Sequence, residues 1–123
     1  MSGEPYPKAQ QLARGERRYR RKVASPKQWQ AIIAEKRGPC RCKSWCQGMP
    51  VEFHHLVSRQ NGGDDVAANI VPICSTHHRL LTARSEHEAR KLLGSLSDAE
   101  YAYMIERGGE DYPERAYGVR YER

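Results

Sequence analysis

The chain has 123 residues, of which 38% are hydrophobic, and carries a formal net charge of +6. That allows one domain with a modest core, and a core this small commonly relies on a structural metal. No apolar run is long enough to span a membrane, and the polar N-terminus with Pro5 and Pro7 does not read as a secretory signal, so a cytoplasmic protein is expected.

In chain order, residues 1–24 form a basic arm with seven Lys/Arg against two acids, including Arg17, Arg18, Arg20 and Arg21 around Tyr19. Such a run suits a polyanion, with nucleic acid as the leading candidate. Residues 25–109 read as the folded domain. Ser25 and Pro26 start a helix whose apolar face is Trp29, Ile32 and Ile33, and Gly38-Pro39 ends it. Cys40 to Met49 is a cysteine-rich turn. Val51 to Val57 has strand character, Arg59 to Asp65 is a loop around Asn61-Gly62-Gly63, and Asn69 to Ile73 is a second strand. Asp64 and Asp65 are expected to cap or solvate that loop. Ser75 is expected to cap a helix through His77, His78, Leu80 and Leu81. Ser85 with Glu88, and Ser97 with Glu100, are capping-box signatures for two more helices, broken at Gly94 and at Gly108-Gly109. The tail, residues 110–123, suggests no shape.

The chemistry concentrates between Cys40 and Thr82. Cys42 and Cys46 are separated by three residues, and Cys74 and His77 by two, both within the range of tetrahedral zinc sites. Without a secretory signal, these cysteines read as ligands or thiols rather than disulfides. The expected structural zinc set is Cys42, Cys46, Cys74 and His77, with Cys40 as the substitute for Cys42. Four of the five histidines fall in two adjacent pairs, His54–His55 and His77–His78. Neighbours on a strand point to opposite faces, and neighbours on a helix about 100° apart. One member of each pair can therefore meet a metal while the other does something else. His87 is expected on a helix surface.

The order His55, Asn69, His78 resembles the His-Asn-His (HNH) endonucleases. The spacings are seven residues from His55 to Gly62, fourteen from His55 to Asn69 and nine from Asn69 to His78. The Gly-Gly turn and the run Asn69 to Cys74 (Asn-x-x-Pro-x-Cys) also fit. The resemblance covers about residues 40–84 and implies an α+β fold: a small ββα-metal motif with a structural zinc, flanked by helices. It places His55 as general base, His54 and His78 as ligands of one catalytic divalent ion, and Asn69 as the residue that ties down the loop and orients the base. The family often has Asp where this chain has His54, which moves the metal preference from Mg²⁺ toward Mn²⁺, Ni²⁺, Co²⁺ or Zn²⁺. The implied activity is hydrolysis of phosphodiesters in double-stranded DNA, by nicking or weakly specific cleavage, with Arg17, Arg18, Arg20, Arg21, Arg59 and Arg79 on phosphates. A monomer is expected. If the chain is phage-encoded, terminase subunits are the implied partners. The rival expectations are a non-catalytic zinc-stabilised DNA-binding or packaging accessory protein, and a sequence-specific restriction or homing-type enzyme.

Overall fold

Two short strands lie at the centre of the computed structural model, which describes residues 20–42, 46 and 48–123. The described elements are α1 (Pro26–Lys36), β1 (Val51–His55), a 3₁₀ turn (Arg59–Asn61), a second 3₁₀ turn (Ala67–Asn69), β2 (Ile70–Cys74), α2 (Ser75–Thr82), α3 (Glu86–Ser95), α4 (Asp98–Gly108) and α5 (Tyr112–Tyr117). The protein is mixed α+β. β1 and β2 pair antiparallel, with Glu52 opposite Ile73, His54 opposite Val71 and His55 opposite Ile70. β2 is buried at every position, because α1 and α2 both pack on it, and it accordingly reads as an unbroken apolar run. Leu56, Val57, Leu81, Leu92, Leu93 and Met104 extend this core.

The connection between the strands is fastened from inside. Asn69 is fully buried. Its Oδ1 accepts the Val57 N–H at 2.8 Å, and its Nδ2 donates to Val57 O at 3.0 Å and Asp64 O at 2.9 Å. The loop therefore satisfies its buried backbone through one side-chain amide. A Cβ at Gly63 would sit 1.7 Å from Val57 O and 2.9 Å from Asn69 Nδ2, so only glycine fits there. Gly63→Ala is expected to lower stability by about 3 kcal/mol, as read from the denaturant midpoint.

The helix starts separate sequence signals that form from one that does not. Ser25 with Gln28, and Ser97 with Glu100, each close a capping box on α1 and α4. Ser85 makes no side-chain cap bond, and Glu88 is turned into the protein instead of back to the helix start. α2 is capped by Cys74 rather than Ser75, with the sulfur accepting the His77 N–H.

Glu100 also joins distant parts. It is 1% exposed and bound by Lys36 and, at 2.7 and 2.9 Å, by Arg41. Burial pushes its carboxyl pKa up, but Arg41, Lys36 and the Ser97 N–H outweigh that and hold it at about 2, against an ordinary 4.5. The unfolded chain therefore takes up this proton first as pH falls. The contribution to stability, on the order of 2–3 kcal/mol, is complete above pH 4.5 and lost as pH falls through about 2. Unfolding midpoints of wild type and Glu100→Gln should differ most at neutral pH and converge toward pH 2.

The two ends of the described chain are integral. Residues 110–123, which the sequence left without a shape, contain α5 and bury Tyr112, Tyr117 and Val119. Of the basic arm, residues 20–24 are described. Lys22 N–H donates to Asp64 at 2.6 Å, Ala24 N–H to Asp65 at 3.0 Å, and Asp65 N–H to Lys22 O at 2.8 Å. Among the described residues no helix is long and apolar enough to cross a membrane.

Candidate functional site

A buried Cys₃His cluster sits where the cysteine turn meets the start of α2. The sulfurs of Cys40, Cys46 and Cys74 and a ring nitrogen of His77 all lie within 4.8 Å of one another. His77 Nδ1 is 3.2 Å from Cys74 Sγ and 3.5 Å from Cys40 Sγ. Tetrahedral zinc, with Zn–S of about 2.3 Å and Zn–N of about 2.0 Å, separates its ligands by about 3.5 Å, so the set fits a metal ion such as zinc. The expectation of Cys42 as first ligand is corrected: Cys40, the substitute, takes that place. Between the two cysteines, the Arg41 N–H donates to Pro72 O at 2.9 Å. Cys42 Sγ lies 3.9 Å from Glu88 O and groups with His77 and Glu88 instead. The other ring nitrogen of His77, Nε2, lies 3.0 Å from Glu88 Oε1, the carboxylate that a metal-binding imidazole commonly faces.

A second contact joins His54 of β1 to His78 of α2. The rings of His54 and His78 are 5.1 Å apart between centroids, at 76°. An ion held by two ring nitrogens at about 2.1 Å in tetrahedral geometry puts the ring centres about 5 Å apart, so the pair fits one divalent ion. Glu52 lies two residues before His54 and on the same strand face. Its Oε1 is 2.8 Å from His78 Nδ1, so Nε2 is the ring nitrogen of His78 that this contact does not use. His54 Nε2 is 2.8 Å from the Tyr117 hydroxyl. Burial, then His78 and His55, hold the His54 pKa at about 3, so this ring is neutral at physiological pH. Beside the pair is a shallow recess lined by Glu52, Ser75, His78, Arg79 and Thr82.

His55 ends β1 and takes different partners from His54. Its ring stacks on Trp29 at 5.9 Å and 9°, and its Nε2 is 2.9 Å from Asp65 Oδ1. The carboxylate accepts, so Nε2 carries the proton and Nδ1 keeps the lone pair. Burial lowers the His55 pKa, the Asp65 hydrogen bond opposes this, and Arg59 adds to the lowering, so the net direction is down. The rings of His54 and His78 meet, and His55 does not join them. His55 sits at the strand end, close enough for its charge to depress His54 but stacked on α1.

Asp65 was expected to cap or solvate the loop. Instead it is buried and receives His55, Arg21 at 2.6 Å and the Ala24 N–H, with Arg59 at 3.5 Å. Asp64 likewise accepts from Tyr103 at 2.7 Å. The Asn69 side chain bonds to Val57 and Asp64, and so fixes the segment that leaves His55 and the loop that carries Asp65. Of the arginines expected on phosphate, Arg20 and Arg79 are exposed, and Arg59 is 58% exposed over the Trp29 ring. Arg21 is engaged with Asp65 and Gly63 O. Arg17 and Arg18 lie outside the described residues. His87 is exposed on α3.

Sequence reasoning missed Glu52, Asp65, Trp29, Glu88 and Tyr117. Strand alternation gave a signal for Glu52, two residues from His54. Tyr117 is 63 residues from its histidine and carried no local signal. The fold and site thus define a mixed α+β protein with a buried Cys₃His cluster that could hold a metal ion, and a separate histidine pair. Comparison of the chain with protein-family models, curated proteins and solved structures finds no match.

Proposed function

We propose that this chain is a metal-dependent DNA endonuclease of the HNH type, with β1, β2 and α2 as its ββα-metal unit. Zinc would hold the Cys₃His cluster, and one divalent ion would bind His54 and His78. The observation that carries this reading is that pair. Two adjacent imidazoles each have the second ring nitrogen already engaged, His54 with Tyr117 and His78 with Glu52. Core histidines packed for stability alone have no need of that arrangement, whereas metal-binding histidines regularly show it.

His55 then serves as general base. Its Nδ1 is free to take a proton from water, and Asp65 holds Nε2–H and stabilises the imidazolium that results. Trp29, flat against the ring, fixes its plane. The bound ion would supply Lewis-acid activation of the phosphate and charge stabilisation at the leaving oxygen. Ligation by two imidazoles favours Mn²⁺, Ni²⁺, Co²⁺ or Zn²⁺ over Mg²⁺. Arg79 beside the recess, with Arg59 and Arg20, provides phosphate contacts that carry little base information.

Plasmid nicking with Mn²⁺, and with EDTA as control, tests this. Dispersed cutting that EDTA abolishes is the expected result. A discrete fragment set indicates a sequence-specific enzyme. Intact plasmid under every divalent ion tried, with DNA still bound in a gel shift, indicates a non-catalytic DNA-binding protein.

A further inference from the structure

Tyr117 stands outside the hairpin and helix that carry the histidine pair, yet its hydroxyl reaches into that pair. It lies 2.8 Å from His54 Nε2 and 2.9 Å from Leu56 O, and the side chain is buried. A carbonyl can only accept, so the single hydroxyl proton goes to Leu56 O. The oxygen then has a lone pair left for His54, and both groups are satisfied only if Nε2 of His54 carries a proton. This leaves the lone pair of His54 on Nδ1. Were the hydroxyl to donate to His54 instead, the ring would be turned to the opposite tautomer. The buried Leu56 carbonyl would lose that donor, a costly arrangement. Ring contacts hold the hydroxyl in place: Tyr117 meets His54 edge-on at 6.0 Å and Tyr112 at 6.2 Å. Tyr112 in turn accepts the Ser58 N–H at 3.2 Å, so α5 is docked against the segment following β1.

We infer that Tyr117 is the positioning residue that sets the His54 tautomer and so makes Nδ1 the metal-binding atom, tying the C-terminal helix to the divalent-ion site. The inference rests on the reading of His54 and His78 as ligands of that ion. It assigns α5 a part in metal binding as well as a packing role.

Full-length wild type, Tyr117→Phe and His54→Ala, each with its zinc content checked, are titrated with Mn²⁺ alone by calorimetry. The His54 ring nitrogens are assigned by NMR in the metal-free wild type and in Tyr117→Phe. The expected results are an Nε2–H tautomer in the wild type, a mixed tautomer in Tyr117→Phe, and a rise in the Mn²⁺ dissociation constant of about 10–100-fold. His54→Ala should abolish binding. Equal Mn²⁺ affinity of Tyr117→Phe and wild type overturns the inference while leaving the metal site standing. An Nδ1–H tautomer in the wild type also overturns it, and needs no variant to fold. Absence of Mn²⁺ binding by the wild type removes the site itself, and the inference with it.

Discussion

Cys40→Ser is expected to yield a protein that holds no zinc and does not fold at 25 °C, whereas Cys42→Ser keeps one zinc per chain and its fold. The two cysteines are one residue apart, so composition and local propensity barely distinguish the variants. Geometry does: the Cys40 sulfur shares a site with Cys46, Cys74 and His77, and the Cys42 sulfur faces Glu88 O. Structural zinc contributes on the order of 10 kcal/mol, comparable to the whole folding free energy of an ordinary domain. Losing one of four ligands is therefore a folding defect and not a local one. Elemental analysis and circular dichroism of the two variants decide the matter. Zinc retained by Cys40→Ser would remove Cys40 from the ligand set, and no zinc in the wild type would remove the structural metal.

How much of this arrangement was legible in the sequence depends on the range of the interaction. The hairpin and the helices follow from local pattern: the apolar run Ile70 to Cys74, the Ser25 and Ser97 caps, the Gly62-Gly63 turn. Metal-ligand spacing pointed to Cys46, Cys74 and His77, because chelation within a turn or a helix start is itself local. Cys40 against Cys42 was not decidable that way, since the choice depends on how the turn packs against β2 and α3 and not on spacing along the chain. The Ser85–Glu88 signature misled for a similar reason. A tertiary partner, His77, takes the carboxylate that a free helix would have used for capping. Asp65 and Tyr117 each hold one histidine of the adjacent pair His54–His55. The inter-strand loop and α5 supply these two groups, whose acidic and aromatic character looks ordinary in one dimension.

His55→Ala is expected to lower the cleavage rate by about 10²–10⁴-fold while DNA affinity in a gel shift is unchanged. The separation of the two readouts follows from where the residue sits. His55 is enclosed between Trp29 and Asp65, and the proposed phosphate contacts come from exposed arginine side chains that the substitution leaves in place. Deleting the imidazole removes the proton acceptor without removing a cation from the surface, since burial keeps this ring on the neutral side. Added imidazole should restore part of the rate in His55→Ala, because the pocket between Trp29 and Asp65 remains. Asp65→Asn should show a smaller loss, since the amide can still engage Nε2 but cannot stabilise the imidazolium. It also leaves Arg21 and Arg59 without their anion, so its unfolding midpoint must be measured alongside its rate. If His55→Ala nicks at the wild-type rate, the general base is another group, and the pairing of His55 with Asp65 is a packing feature of the strand end.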